Sequence, residues 1–191
     1  MIQPWLHNAE QASTSLPSGK RLFQAYAVLL KFAWQHDWTG ACHDSAATLF
    51  MVLSEMGFSP KIVTGEFKAS AGTFDHSWVE LDGKIYDVAV AFPGEDGHYV
   101  GPSVFASLNM DTGEPTELVY GVRSPGGLDD VGQFVAAANL EQYSAAQPVG
   151  STIWDITPHV GAACGVKLRK SDLRRKYGKV VRIVRDQETS I

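Results

Sequence analysis

Cys42, His76 and Asp87 have the side-chain types that thiol-based acyl chemistry uses. In such chemistry a thiolate attacks a carbonyl carbon, an imidazole moves the proton, and a carboxylate orients the imidazole. The intervals between the three residues are 34 and 11 positions. The local sequence places the cysteine at a helix start and the other two in a β-hairpin, so we expect the three side chains to meet as a catalytic group.

The helix that begins near Cys42 is predicted over residues 39–57. Thr39 is the predicted N-cap and Gly57 suits the position that follows the last turn. Cys42 shares one stripe of this helix with four apolar residues, Ala46, Leu49, Phe50 and Leu53. The thiol therefore faces inward from the first turn, where free N–H groups favour the thiolate and lower a cysteine pKa. The alternative is a small buried residue with no chemical role.

His76 and Asp87 are predicted to lie on the two strands of one hairpin, residues 74–81 and 84–91. The strands flank Asp82-Gly83, a strong two-residue turn signal. If residues 81 and 84 pair, His76 and Asp87 become diagonal neighbours on one face, about 7–8 Å apart at the backbone. The carboxylate can then fix the tautomer of the imidazole and stabilise its charged form. The alternative is a surface hairpin with unrelated polar residues.

Three segments together resemble the transglutaminase-like superfamily, which belongs to the papain-like thiol enzymes. Gly40-Ala-Cys42-His-Asp44 resembles its nucleophile segment, Lys61-Ile-Val-Thr-Gly65 the strand that follows, and His76-Ser-Trp78-Val-Glu80 its histidine strand. Asp87 matches the third catalytic residue, although Val88-Ala89 follows it where the family often has proline and threonine. The resemblance covers residues 39–93, or 55 of 191 residues.

This resemblance implies an α+β fold with a papain-like core, in which the nucleophile helix packs against an antiparallel β-sheet. It also implies that Cys42 attacks a carbonyl to form a thioester, with His76 as general base and Asp87 orienting it. Water as the acceptor gives an amide or peptide hydrolase, which is the leading interpretation because microbial relatives with this minimal core are often hydrolases. An amine acceptor gives acyl transfer, as in transglutaminases or arylamine acetyltransferases. A binding or assembly module that keeps the fold without catalysis is a third interpretation.

The oxyanion of such a reaction needs two hydrogen-bond donors. The amide N–H of Cys42, at the helix start, is one candidate. Gln35 and Trp38 lie just upstream, and a side-chain N–H of either is a candidate for the second. For tryptophan, core packing is the alternative.

Other reactive residues carry weaker signals. Cys164 lies among small residues without a helix-start signal, so we expect a buried structural thiol. His43 follows the nucleophile on the helix and would point about 100° away from it, so we expect it at the surface. No Cys-x-x-Cys or His-x-x-x-His spacing surrounds Cys42, so neither a metal nor another cofactor is predicted.

Size and composition fit one globular domain over residues 1–191. The chain is 45% hydrophobic and 10% aromatic, which excludes a disordered protein. It has no run of roughly 18 apolar residues for a membrane span. The first ten residues lack the basic and apolar parts of a secretory signal. With two cysteines far apart and one needed as a thiol, we expect a reducing, cytoplasmic location.

Charge is unevenly distributed. Residues 165–191 carry nine Lys or Arg and three Asp or Glu, whereas residues 1–164 have a net charge of −11. Such a basic segment could bind nucleic acid, but it has few interleaved aromatics to stack on bases, so we expect it to be solvated or to pair with the acidic body. The predicted partners are therefore a peptide, a protein or a small acyl donor.

The remaining pattern predicts further elements and one variable loop. Residues 93–115 are rich in glycine and proline and are predicted to form a loop over a cleft. The other predicted elements are helices over 18–37, 129–143 and from Ser171, and strands over 62–67, 117–122 and 179–185.

Overall fold

The fold combines helices with one main β-sheet, as the α+β prediction requires. The structure is a computed structural model and describes residues 2–92, 99–148 and 150–188. Its helices are α1 (Gln3–Ser13), α2 (Gly19–Gln35), α3 (Cys42–Glu55), α4 (Asp130–Ala137), α5 (Leu140–Ala146), α6 (Ile153–Ala163) and α7 (Lys170–Tyr177). Its strands are β1 (Lys61–Ala69), β2 (Gly72–Leu81), β3 (Lys84–Tyr86), β4 (Val104–Phe105), β5 (Leu108–Asn109), β6 (Val119–Arg123), β7 (Ile183–Arg185) and β8 (Gln187–Glu188).

The main sheet has the order β3-β2-β1-β6-β8, and β7 also pairs with β1. The pairs among β1, β2, β3 and β6 are antiparallel, whereas β7 and β8 run parallel to β1 and β6. The two remaining strands, β4 and β5, form a separate small hairpin. The sheet is therefore mainly antiparallel, and strands from late in the chain complete it.

The predicted turn at Asp82-Gly83 is confirmed, and Leu81 pairs with Lys84. Both turn residues have positive φ, 51° and 72°, as a tight hairpin turn requires. The prediction that the second strand continues to residue 91 is wrong. Asp87 leaves the hairpin and exchanges two backbone hydrogen bonds of 2.8 Å with Val104, and the chain then forms a 3₁₀ turn at Ala89–Ala91.

Helix α3 begins later than predicted. Ala41 is its N-cap, so the prediction of Thr39 in that role is wrong. The reason is Gly40, whose φ of 63° turns the chain between Thr39 and the helix. The prediction for the end of this helix is confirmed, because Gly57 follows the last turn with a φ of 85°.

Helix α3 packs against β2 on one side and α6 on another. Its buried side chains join those of α1, α2 and α6 in the main hydrophobic core. A second, smaller cluster consists of Phe67, Val90 and Val104. Both faces of β2 are covered, since His76, Ser77, Trp78 and Val79 are all at most 5% exposed. The interpretation of this hairpin as a surface feature is therefore wrong.

Several elements differ from the prediction. The expected helix over 129–143 is two helices, because Ala138 is extended and Asn139 forms a capping box with Gln142 that starts α5. Helices α1 and α6 were not predicted at all. Of the predicted loop over 93–115, residues 93–98 lie outside the described residues, and the rest contains β4 and β5.

The basic segment 165–191 pairs with acidic residues elsewhere in the chain. Its ion pairs to the body are Lys170–Asp155, Arg174–Glu141, Lys176–Glu55 and Arg185–Glu80. This is the arrangement expected if the segment neutralises the acidic body. In the part of the chain that the structure describes, none of the helices combines the length and apolar character needed to cross a bilayer.

Candidate active site

Cys42 is the first residue of α3 and its thiol is free and partly exposed. The N–H groups of a first helical turn have no partner within the helix and favour a nearby negative charge. Burial alone would raise the pKa of the Cys42 thiol, but the imidazoles of His43 and His76 outweigh burial and hold this pKa well below its usual value. The position of the cysteine thus favours the nucleophilic thiolate.

His76 and Asp87 are in direct contact, as the hairpin register predicts. The His76 Nε2 atom lies 2.7 Å from the Asp87 Oδ2 atom, and both residues are buried. Burial would lower the pKa of His76, but the charges of Asp87 and Cys42 outweigh it and raise this pKa to about 10. Because Nε2 is held by Asp87, Nδ1 is the ring nitrogen left to face the thiol.

Among the described residues, four groups donate hydrogen bonds to the Asp87 carboxylate. Oδ2 accepts from His76 and from the Tyr120 hydroxyl at 2.8 Å. Oδ1 accepts from the backbone N–H groups of Ala89 at 3.0 Å and Val90 at 3.2 Å. Burial and the neighbouring Asp87 charge raise the pKa of Tyr120 well above its usual value, so Tyr120 remains a donor. Each carboxylate oxygen therefore has a fixed set of donors.

Cys42 and His76 line one cavity of about 170 Å³. Gly40 and Ala41 form its wall on the side of α3, and Asp75 is a further polar residue of the wall. The rest of the wall, among the described residues, is apolar. The cysteine and the histidine of the predicted site therefore share one cavity.

His43 does not have the surface position that we predicted. It is partly buried, and its Nδ1 atom lies 2.8 Å from the Ser77 hydroxyl oxygen. The prediction failed because the first turn of α3 lies against β2, so the residue beside the nucleophile meets a strand instead of solvent. The His43 imidazole is also one of the two that lower the pKa of Cys42.

Asp44, Tyr143 and Arg182 form a polar cluster that contacts the start of α3. The Tyr143 hydroxyl donates to Asp44 Oδ1 at 2.8 Å, and the Arg182 guanidinium lies 4.4 Å from the centre of the Tyr143 ring. Arg182 also donates to the His43 carbonyl at 3.3 Å and is only 3% exposed. Burial raises the pKa of Asp44, against the hydrogen bond from Tyr143. The cluster ties the nucleophile segment to α5 and to the C-terminal segment.

The residues proposed for the oxyanion lie in different places. The Cys42 amide is at the helix start, where the first N–H groups have no helical partner. Gln35 is exposed at the end of α2, and Trp38 packs edge-on against Phe32 with ring centres 5.4 Å apart. Neither side chain is among the described residues of the cavity wall. Trp34, which also lies just upstream of Cys42, is 48% exposed.

Cys164 has the structural position that we predicted. It is 7% exposed at the end of α6, and burial raises its pKa to about 11. Such a thiol is a poor nucleophile near neutral pH. Over residues 2–92, 99–148 and 150–188, no group of three or more His, Cys, Asp or Glu side chains is arranged to hold a metal ion.

Sequence reasoning missed Tyr120, Ser77 and Arg182. Tyr120 lies on a strand that was predicted, but the strand's place in the sheet was not. Ser77 was within the histidine strand, where its neighbour His76 drew the functional interpretation. Arg182 lies in the basic segment, where no local pattern distinguishes a buried arginine from an exposed one.

Neither a family model, nor a curated protein, nor a solved structure matches this chain. The chemistry of the site is therefore inferred from its geometry and from the sequence motifs that supply it.

Proposed function

We propose that this protein is a cysteine hydrolase that cleaves amide or peptide bonds through a thioester on Cys42. His76 is the general base and acid, and Asp87 orients it. The observation that carries the proposal is the 2.7 Å contact between His76 Nε2 and Asp87 Oδ2, beside a cysteine at a helix start that shares a cavity with His76.

The reaction has two steps. In the first, the Cys42 sulfur bonds to the substrate carbonyl carbon, and the carbon–nitrogen bond breaks as the His76 imidazolium gives its proton to the leaving amine. In the second, His76 takes a proton from water, whose oxygen attacks the thioester carbon. The carbon–sulfur bond then breaks, which releases a carboxylic acid and regenerates the Cys42–His76 pair.

The electrostatics of the site support a pre-formed ion pair. The pKa of Cys42 is lowered and that of His76 is raised to about 10, each in part by the other. Thiolate and imidazolium therefore coexist at neutral pH, and the imidazolium is lost as pH rises through about 10. Asp87 extends to higher pH the range in which His76 stays protonated, because its charge is the largest influence that raises the His76 pKa.

The oxyanion that forms at the carbonyl requires donors that are fixed before the reaction. The Cys42 amide N–H is the proposed first donor, since it belongs to the unpaired first turn of α3. Gln35 and Trp38 stay predictions for the second donor.

The order of motifs supports assignment to the transglutaminase-like, papain-like group. A cysteine helix is followed by a strand and then by a histidine strand, and all three pack together. The unusual Val88-Ala89 pair after Asp87 is compatible with this assignment. At these positions the carboxylate uses the backbone N–H groups of Ala89 and Val90, which any non-proline residue supplies.

The proposal includes a reducing, cytoplasmic compartment. A catalytic Cys42 must remain a thiol, and both cysteines of the chain are free.

Alkylation kinetics test the proposal. Iodoacetamide should modify Cys42 rapidly at pH values well below the free-thiol pKa of about 8.5. In His76→Ala the rise of the alkylation rate with pH should shift to higher pH, because one of the two imidazoles that lower the thiol pKa is lost. Cys164→Ala is the matched control and should leave the profile unchanged.

The same variants separate the enzyme from a non-catalytic module. Peptide or activated-ester turnover should be abolished in Cys42→Ala and His76→Ala. Identical alkylation profiles in the wild type and His76→Ala would contradict the proposal and favour a binding module. If the acyl group is transferred from Cys42 to an added amine and not to water, the protein is an acyltransferase. The proposed thioester step would then still hold.

A further inference from the structure

The cavity beside Cys42 has an apolar wall that the proposed chemistry does not require. Its described apolar residues are Phe67, Phe74, Ala89, Val90, Phe92 and Val100. Phe67 and Val90 belong to the second hydrophobic cluster, which is separate from the main core. Phe67 packs against the His76 ring with centres 4.8 Å apart and against Phe74 at 5.6 Å. An apolar surface thus continues directly from the catalytic imidazole into the cavity.

The volume of this cavity is large enough for one small apolar group. About 170 Å³ is below the roughly 300–1,000 Å³ of sites that enclose drug-sized ligands. It is close to an apolar cavity of about 150 Å³ that admits benzene. One phenyl ring or one branched aliphatic group therefore fits.

The polar residues of the wall indicate the charge of the occupant. The three polar residues of the described wall are already engaged, Cys42 and His76 in the reaction and the Asp75 carboxylate with the start of α4. One oxygen of Asp75 accepts the Asp129 N–H at 2.8 Å. A carboxylate on the occupant would lose hydration among the phenylalanine side chains. The occupant is therefore a neutral group.

The reaction sequence decides which part of the substrate this group belongs to. The leaving amine must depart before water can reach the thioester from the side it vacates. A group packed against the apolar wall departs more slowly than a solvated one, so the cavity suits the part that stays attached to Cys42. That part is the acyl group.

Resting on the proposed function, we propose that the cavity binds a neutral phenyl or branched aliphatic group next to the scissile carbonyl. The enzyme therefore acts on acyl donors with such a side chain and selects against acetyl-sized and anionic donors. Each added methylene in an apolar pocket changes specificity by about 10-fold or more, so the preference for a whole ring is large.

A set of p-nitrophenyl esters tests this inference with the full chain. The acetate, phenylacetate and monosuccinate esters share one leaving group and differ in the acyl group. The rate of Cys42 acylation is measured from the p-nitrophenolate burst and divided by the rate of each ester with glutathione, which removes differences in intrinsic reactivity. The phenylacetyl rate should exceed the acetyl rate by about 10-fold or more, and the succinyl rate should not exceed the acetyl rate.

Phe74→Ala and Phe58→Ala form a matched pair of variants. Phe74 is a partly buried wall residue, so its truncation should reduce the phenylacetyl-to-acetyl ratio about 10-fold. Phe58 follows the opposite end of α3, where it packs under Arg21, and its truncation should leave the ratio unchanged.

The outcomes separate the two proposals. If the acetyl ester and the phenylacetyl ester both fail to acylate Cys42, the proposed function and this inference are both overturned. If the acetyl ester acylates Cys42 but the normalised ratio stays within threefold of one, or Phe74→Ala leaves it unchanged, the inference alone is wrong. Acetyl donors that differ only in a benzyl group on the leaving group give a further check. If the benzyl group raises the normalised acylation rate there, the inference is also overturned, because the cavity then holds the leaving group.

Discussion

Replacing Asp87 by asparagine tests how the carboxylate controls His76. The substitution keeps the size of the side chain and changes one oxygen to an amide NH₂. Oδ1 accepts two backbone N–H groups, from Ala89 and Val90, whereas Oδ2 accepts from His76 and from the Tyr120 hydroxyl. A hydroxyl can rotate to accept a hydrogen bond and a neutral imidazole can change tautomer, but a backbone N–H can only donate. The new NH₂ group is therefore expected to face His76.

The structure gives the size of the effect. Placing NH₂ toward Ala89 and Val90 would leave two buried N–H groups unpaired, at about 1–3 kcal/mol each. The orientation toward His76 is thus favoured by about 2–6 kcal/mol, and it requires an unprotonated Nε2 and a proton on Nδ1. That tautomer cannot take the proton of Cys42. At 1.36 kcal/mol per tenfold, the hydrolysis rate should fall by roughly 30-fold to 10⁴-fold, and the corresponding change in a serine triad costs about 10⁴.

Two measurements check this prediction. The rate is kcat/KM for an activated ester, and the tautomer and pKa are read from the ¹⁵N shifts of the His76 ring. The pKa of His76 should fall from about 10, because the Asp87 charge that chiefly raises it is gone. Tyr120→Phe is the control: it removes one hydrogen bond but keeps the charge, so the His76 pKa should stay high. A variant that keeps its rate within threefold, with Nε2 still protonated, would refute the reasoning.

Two further predictions concern the residues around the start of α3. His43→Gln should move the acid limb of Cys42 alkylation to higher pH, because one of the two imidazoles that lower the thiol pKa is removed; an unchanged pH profile would contradict this role. Tyr143→Phe removes the hydroxyl that donates to half-buried Asp44. It should raise the pKa of Asp44 further and lower the free energy of unfolding in urea by about 1–3 kcal/mol, whereas equal stability would mean that water replaces the hydroxyl.

The parts of the site that the sequence predicted depend on local signals. Asp82-Gly83 sets the hairpin register, and strand alternation then brings His76 to Asp87. The helix at Cys42 is marked by an apolar stripe and ended by Gly57. Each of these signals spans fewer than 20 residues, so no knowledge of the tertiary fold was needed. The start of α3 was misplaced because Gly40 changes the chain direction, which the identity of Thr39 cannot reveal.

The parts that could not be predicted depend on contacts between distant segments. Tyr120 is 33 residues from Asp87, His43 is 34 from Ser77, and Arg182 is 139 from His43. No periodicity within one element encodes such pairings, because they are fixed by the order of strands in the sheet. Helix α6 was missed for a different reason: it contains Pro158 and Gly161, two residues that are unfavourable inside helices.

The order of strands also explains a glycine beside His76. Gly65 pairs with His76 on one side and with Arg185 of β7 on the other. A Cβ atom at Gly65 would lie 2.3 Å from the Arg185 carbonyl oxygen, so a side chain there would push β7 away. Arg185 in turn holds Glu80 through two hydrogen bonds, of 2.8 and 3.1 Å, and so fixes β2 near the histidine.

These contacts of β7 increase the part of the chain on which the geometry of the site depends. The three proposed catalytic residues lie within residues 39–93, the range of the sequence motifs. However, the hydroxyl that holds Asp87 comes from β6, and β7 pairs with the strand that carries Gly65. Arg182, just before β7, binds the first turn of the nucleophile helix. The segment with the motifs therefore contains the proposed catalytic residues, while their fixed geometry depends on strands that come after it in the chain.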